Sequence, residues 1–182
     1  MMFPYNLLVS FDYDFMAARR EVFESLAALG DEEPTVRRTI IRGLIGVKTS
    51  LDPHDAVRKL RQMQDENQIT LRFTHRWIPI DLWTDSDLSS MKEGIKKLSD
   101  IAPHERWKMV VEKRRYPTHH TDEIIRELAQ LIDAKVDLKR PEKIVRVDIL
   151  GGFAGISLLG PGEVFSSIRR FRDTMPEEMG RE

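Results

Sequence analysis

The sequence of 182 residues contains no cysteine. This absence excludes disulfide bonds, zinc–thiolate sites, iron–sulfur clusters and thiol nucleophiles. No run of about 18 apolar residues occurs, so we expect no membrane-spanning helix. The first residues, MMFPYN, provide neither the basic region nor the long apolar stretch of a secretory signal. Together these absences predict a cytoplasmic protein.

A surplus of charge of either sign is also lacking. The chain has 29 Lys and Arg against 30 Asp and Glu, a formal net charge of -1. We therefore expect no general affinity for polyanions, and any nucleic-acid binding must come from a local basic patch. Hydrophobic residues make up 41%, which is enough for a core. The length fits one domain of ordinary size or two small ones.

Residues 1–84 show the pattern of a ferredoxin-like unit. Asp14 is placed to cap a first helix, and Asp52 followed by Pro53 is typical of the start of a second. Hydrophobic periodicity and turn residues predict the order β-α-β-β-α-β, over residues 5–11, 15–29, 36–41, 44–49, 53–63 and 69–78. That order predicts an antiparallel sheet with both helices on one face.

Residues 85–165 form a second, smaller α/β unit, which we expect to pack against the first. Either Asp85 or Ser86 is placed to cap its first helix, and Thr121 its second. The predicted elements are a helix, a strand, a helix and a two-stranded hairpin, over residues 88–98, 106–112, 121–132, 144–150 and 154–159. The dipeptide 161–162 is predicted to end the regular region. The fold class is α+β, and residues 166–182 form a loosely ordered tail.

Motifs for catalysis and cofactor binding are missing. The sequence has no phosphate-binding loop of the G-x-x-x-x-G-K-[ST] type, no H-E-x-x-H and no G-x-S-x-G. The glycines at 151–155 lie between two strand patterns and predict a hairpin turn. His119 and His120 are adjacent, so their side chains point apart and do not favour a metal site. We therefore expect no catalytic residues, no metal and no cofactor, and a protein that is not an enzyme.

One basic loop stands out. Guanidinium groups, an ammonium group, histidine rings and the start of a helix gather where the predicted strand 106–112 ends. These groups suit a phosphate backbone with unstacked bases. The residues predicted to contact RNA from this loop are Lys113, Arg114, Arg115, His119, His120 and Thr121. Four further basic residues are predicted to contribute from the domain junction and from the segment before the last hairpin: Arg72, Arg76, Lys135 and Arg140.

The second unit resembles the THUMP-domain family, an RNA-binding module of tRNA-modifying enzymes. The resemblance rests on VVEKR at 110–114, TDEII at 121–125, KVDLKRP at 135–141, VRVDI at 145–149 and GIS at 155–157. Its most specific part is Val-Asp-Leu, two residues and Pro, before a hairpin that ends in Gly-Ile-Ser. In this family a ferredoxin-like domain precedes the THUMP domain, and the resemblance covers roughly residues 5–165.

The resemblance implies a tRNA-binding protein that recognises the acceptor 3′ end. Lys113 and Arg114 match basic positions of the family, and Thr121 matches its small hydroxyl residue at the helix start. Because the resemblance covers nearly the whole sequence, we expect no fused catalytic domain, and the chain most resembles a stand-alone Tan-type adaptor. Such an adaptor helps a separate acetyltransferase to make N4-acetylcytidine in tRNA, and these two are the expected partners.

Two other interpretations remain open from the residues alone. The ferredoxin-like unit hosts many functions, so the chain is alternatively a small-molecule-binding or catalytic protein without RNA. A third interpretation is a protein-interaction module that uses the hairpin edges or the arginine-bearing tail.

Overall fold

The computed structural model describes residues 4–98 and 100–167. The elements in chain order are β1 (Leu7–Phe11), α1 (Phe15–Ala28), β2 (Thr35–Arg38), β3 (Leu44–Lys48), α2 (Pro53–Asp65), β4 (Thr74–Pro79), β5 (Leu82–Asp85), α3 (Leu88–Leu98), β6 (Arg106–Arg114), α4 (Thr121–Ala129), β7 (Lys135–Val136), β8 (Lys143–Leu150), β9 (Phe153–Leu159) and β10 (Phe165–Ser166). The predicted tail falls outside the described residues apart from Ser166 and Ser167.

The strands form two five-stranded sheets. The first has the order β10-β4-β1-β3-β2 with antiparallel neighbours, so the ferredoxin-like order predicted for residues 1–84 is confirmed. The second has the order β5-β9-β8-β6-β7. In it β6 lies parallel to β7 and β8, while β8 and β9 form the predicted antiparallel hairpin. The α+β fold class is therefore confirmed.

Each sheet has an outer face that packs against two helices and an inner face that turns toward the other sheet. On the outer face of the first sheet, Trp77 is buried with residues of α1 and α2. On the outer face of the second, Val147 is buried with residues of α3 and α4. Between the sheets, Leu8 and Ile78 from the first meet Leu150 from the second. This contact and the two outer cores hold the units together.

The start of each helix in the first unit follows the sequence prediction. Asp14 Oδ1 accepts a hydrogen bond from the backbone N–H of Ala17 at 3.0 Å. Asp52 Oδ1 accepts one from Asp55 N at 2.9 Å. These carboxylates satisfy donors that the first turn of a helix leaves free.

The prediction of a strand that begins at residue 69 is wrong for its first five residues. The structure starts β4 at Thr74, and Ile69 and Leu71 pack against the core of the first unit without joining the sheet. The Glu21 carboxylate on α1 accepts hydrogen bonds from the backbone N–H groups of Arg72, at 2.6 Å, and Thr74, at 2.7 Å. The backbone N–H groups just before and at the start of β4 therefore bond to a side chain.

Two other predictions in the second unit need correction. The carboxylate of Asp87, rather than Asp85 or Ser86, accepts the N–H of Ser90 at the start of α3, at 2.8 Å. Ser86 instead donates its hydroxyl to the carbonyl of Gly151 at 2.8 Å, and Asp85 ends β5. Regular structure also continues beyond 161–162, because Phe165 and Ser166 pair with β4 in the first sheet.

Residues 160–166, here named the strap, carry the chain from the second sheet back to the first. His54 on α2 contacts one carboxylate of the strap and one between β4 and β5: its Nδ1 lies 2.7 Å from Glu163 Oε2 and its Nε2 2.6 Å from Asp81 Oδ1. Both ring nitrogens can donate only when the imidazole is protonated. Hydrogen bonds to Asp81 and then to Glu163 outweigh burial and raise the pKa of His54 to about 9. Arg58 pairs with the same Glu163.

Candidate nucleic-acid interface

Strand β6 divides the predicted basic cluster between two faces of the second sheet. It runs to Arg114, two residues beyond its predicted end. Trp107 and Val111 lie on the outer face with the helices, whereas Lys108 and Glu112 line the space between the sheets. Because side chains alternate along a strand, Lys113 and Arg114 belong to opposite faces.

Lys113 is engaged in holding the loop that follows. Its Nζ donates to the carbonyl oxygen of His119 at 2.8 Å and lies 3.4 Å from that of Tyr116. Such a bond from an ammonium group is stronger than a neutral one. The side chain therefore fixes the β6–α4 loop, residues 115–120, against the start of α4.

The start of α4 differs from the prediction by one residue. His120 is the N-cap residue and makes no side-chain capping bond, and Thr121 is the first helical residue, so the predicted Thr121 cap is wrong. His119 Nδ1 lies 3.0 Å from Glu123 Oε1 and its ring lies against Tyr116. His120 is exposed. The backbone N–H groups in the first turn of α4 therefore make no hydrogen bond to the His120 side chain.

Arg115 places the loop beside the first unit. Its φ of 53° lies in the left-handed region, which turns the chain sharply after β6. Its side chain is exposed and lines an opening of about 360 Å³ together with the β2–β3 hairpin. Arg38 and Arg42 of that hairpin line the same opening, and so does Tyr13, which is 96% exposed.

Arg38 and Arg42 belong to the first unit and Arg115 to the second. Of the three, only Arg115 was predicted from the sequence. Arg38 stacks on Phe15, with its guanidinium carbon 4.0 Å from the ring centroid. The sequence does contain a signal for them, because arginine recurs at positions 37, 38 and 42 around a glycine turn. No sequence pattern, however, connects that hairpin with Arg115.

The two arginines predicted at the domain junction lie apart. Arg76 lines the space between the inner faces, with Nη1 4.0 Å from Glu112 Oε1. Arg72 lies beside α1, in a separate depression of about 410 Å³ that also includes Glu21. Arg72 is therefore not brought together with the β6–α4 loop.

Lys135 and Arg140 lie near the opposite end of β6. Lys135 pairs with Arg106, the first residue of β6, so the length of β6, about 26 Å at 3.3 Å per residue, separates it from Arg114. The backbone N–H groups of Arg140 and Lys139 bond to Asp137 and lower the pKa of that carboxyl group. These residues form a separate exposed turn.

A buried ionic cluster lies behind Arg114 on the inner face of the second sheet. Asp148, which is fully buried, accepts two hydrogen bonds from Arg146, at 2.8 Å from Nε and 3.1 Å from Nη2. Arg114 Nη1 lies 3.4 Å from the same carboxylate. The cluster holds two guanidinium groups and one carboxylate, so it leaves one positive charge uncompensated.

Within residues 4–98 and 100–167, no three His, Asp or Glu side chains gather as a metal ion would require. Across the same residues, no helix has the length and apolar character needed to cross a bilayer.

Residues 85–159 match the THUMP domain family. A search of curated proteins gave no match.

Several solved structures share the fold. TrmN from Thermus thermophilus superposes with a TM-score of 0.61 at 18% identity, covering 91% of this chain and 48% of that one. PH1313 from Pyrococcus horikoshii Ot3 has a TM-score of 0.56 at 14% identity, with coverages of 85% and 54%. This chain therefore spans about half the length of these proteins, and the likeness shows a common fold.

Proposed function

We propose that the chain binds tRNA through the opening between its two units and presents it to a separate modification enzyme. The observation that carries the proposal is that Arg115 from one unit lines the same opening as Arg38 and Arg42 from the other. The match of residues 85–159 to the THUMP family supports RNA as the ligand.

The chemistry of the opening suits an RNA backbone. Guanidinium groups bind phosphate oxygens through paired N–H donors. The exposed ring of Tyr13 offers a face on which a base can stack. Asp12 lines the opening too, and its carboxylate opposes non-selective binding of anions. A defined RNA element is therefore favoured over any polyanion.

The direct test is the affinity of the chain for a tRNA transcript, measured by fluorescence anisotropy over a series of salt concentrations. In the double variant Arg42→Ala/Arg115→Ala, we expect affinity to fall at least about tenfold. The slope of log K against log salt should flatten by about 1.4, for two lost contacts on a single strand.

The matched control is Arg126→Ala, which removes an exposed arginine from α4. It should bind tRNA as the unmodified chain does. Unchanged affinity in the double variant would contradict the proposed surface.

The acceptor 3′ end is the proposed recognition element. Transcripts lacking their 3′-terminal nucleotides should bind more weakly than intact tRNA. Equal binding would contradict end recognition and leave tRNA binding itself in place.

The proposed partner is an acetyltransferase that forms N4-acetylcytidine, and the chain itself is proposed to be non-catalytic. We expect acetylation of tRNA, measured by mass spectrometry of its nucleosides, to require both proteins. Acetylation at the full rate by the enzyme alone would contradict the adaptor role.

A further inference from the structure

The inner faces of the two sheets enclose a cleft that the proposed function does not use. The sheets touch at Leu8, Ile78 and Leu150. Toward β6 and β10 they separate and leave a volume of about 510 Å³. A space of this size is typical of small-molecule sites.

The cleft is lined by three basic side chains, one from each of three strands. They are Arg76 on β4, Lys108 on β6 and Arg146 on β8, and within residues 4–98 and 100–167 Glu112 is the one carboxylate that lines the cleft. Lys108 makes no ion pair within the part of the chain that the structure describes. Arg76 and Glu112 are only within 4.0 Å of each other and are each more than two-fifths exposed, so their pairing is weak.

Arg146 is the most constrained of the three. It is 6% exposed, and Asp148 binds its Nε and Nη2 from behind. Its Nη1 has no hydrogen-bond partner among the described residues. With Arg114 included, four cations face two carboxylates around the cleft among the residues that the structure describes, an excess of two positive charges that a phosphate group would neutralise.

The wall of the cleft opposite β6 is the strap, which side chains of α2 hold in place. The strap contributes Gly160, Gly162 and Val164 to the cleft. Arg61 Nη2 donates to the carbonyl of Val164 at 2.9 Å, and Glu163 is held by His54. Gly162 has a φ of +83°, and a Cβ there would lie 2.6 Å from Arg61 Nη1. The strap wall of the cleft is therefore held in place by contacts with α2.

Apolar side chains complete the lining. Val110, Ile144 and Leu159 lie beside the basic groups. Such a surface suits the flat face of a base next to a bound phosphate.

We propose that this cleft binds a nucleoside monophosphate unit, with its phosphate group on Arg76, Lys108 and Arg146 and its base against the apolar lining. The unit has two sources with the same chemistry, a free nucleotide and the terminal nucleotide of an RNA strand. The site is separate from the opening around Arg115. As a site for a free nucleotide it is independent of the proposed function, and as a site for the terminal nucleotide of an RNA strand it rests on that function.

The test titrates AMP into the full chain by isothermal calorimetry and by ¹⁵N-resolved NMR. We expect one site, with shifts at the amides of Lys108, Gly160 and Gly162, and weaker binding of adenosine, which lacks the phosphate. Lys108→Ala should weaken AMP binding about tenfold. Lys97→Ala, which removes an exposed lysine from α3, should not change it.

A short single-stranded RNA distinguishes the two sources. Shifts with both AMP and the RNA assign the cleft to a nucleotide unit of either origin, and shifts with AMP alone assign it to a free nucleotide. No shifts at these amides with either probe would overturn the proposal. Because the NMR arm uses the unmodified chain, it decides the question even where Lys108→Ala fails to fold.

The same data keep the two proposals apart. Binding of tRNA that depends on Arg42 and Arg115, without shifts in the cleft, overturns the nucleotide site alone. Shifts in the cleft with AMP, without tRNA binding, overturn the proposed function alone.

Discussion

The outer and inner faces of the two sheets bury different chemistry, although the same strands build both. On the outer faces, helices cover side chains such as Trp77 and Val147, which are fully buried. On the inner faces, an apolar contact at Leu150 adjoins the buried Arg146 and Asp148. Removing charges from water costs free energy even when they are paired, and the buried Arg146–Asp148 pair places this cost on the inner faces. Such sites are where binding groups are expected.

The largest effect should come from removing the inner counter-charge. Asp148→Ala leaves the guanidinium of Arg146 buried without a partner, and we expect it to lower the free energy of unfolding by about 3–5 kcal/mol. The neighbouring outer-face change Val147→Ala should cost about 2 kcal/mol. Urea denaturation measures both. A cost for Asp148→Ala no greater than that for Val147→Ala would remove the proposed difference between the faces.

The second effect concerns His54, which contacts Asp81 and, on the strap, Glu163. Because folding raises its pKa from 6.5 to about 9, the stabilisation is fully present below pH 6.5 and is lost as the pH rises through 9. Relative to His54→Gln, the unmodified chain should lose about 2 kcal/mol of unfolding free energy between pH 6.5 and 9.5.

The charged groups that face His54 do not reverse this pH dependence between pH 6.5 and 9.5. Glu163 stays ionised throughout, because its burial is outweighed by the bonds from His54 and Gly160, which lower its pKa. Arg58 keeps its charge as well. Parallel pH profiles for the two proteins would show that His54 does not carry a charge that stabilises the strap.

A smaller effect is expected from Lys113, the last outer-face residue of β6. Lys113→Met removes the bond to the carbonyl of His119, and we expect a loss of about 1 kcal/mol in the free energy of unfolding. The salt slope of tRNA binding should stay the same, because that ammonium group is already bonded to the loop. A flatter slope would instead show that Lys113 contacts phosphate, as the sequence predicts.

The smallest effect should come from Glu112→Gln at the open side of the cleft. Its carboxylate is 44% exposed and 4.0 Å from Arg76, so the free energy of unfolding should change by less than about 0.5 kcal/mol. A larger change by urea denaturation would show that the rim pair is coupled to the buried cluster around Asp148.

Local signals were sufficient for much of the fold. Asp14 and Asp52 cap helices through their own side chains, and the hairpins follow from glycine turns between β-branched runs. The short strands β5, β7 and β10 escaped prediction, because two to four residues carry no usable periodicity and pair only after the sheets have formed. Residues 69–73 alternate like a strand, yet Glu21, some 50 residues earlier, binds their backbone donors.

The candidate interface was less accessible to sequence reasoning. The basic loop was found because its residues are consecutive, but its partners Arg38 and Arg42 join it only through packing of the two units. The opposite orientation of Lys113 and Arg114 follows from strand alternation and was missed because the strand was predicted to end at Glu112. The cleft required Arg76, Lys108 and Arg146 from three strands, a combination that no local pattern contains.

The strap has a consequence for how the chain is made. Phe165 belongs to the apolar core of the first unit, yet a ribosome adds it only after every strand of the second sheet. Domains usually fold as they emerge, from the N-terminus onward. Here the first sheet leaves the ribosome with β4 still an open edge. That edge stays available to another nascent chain until β10 arrives to cover it.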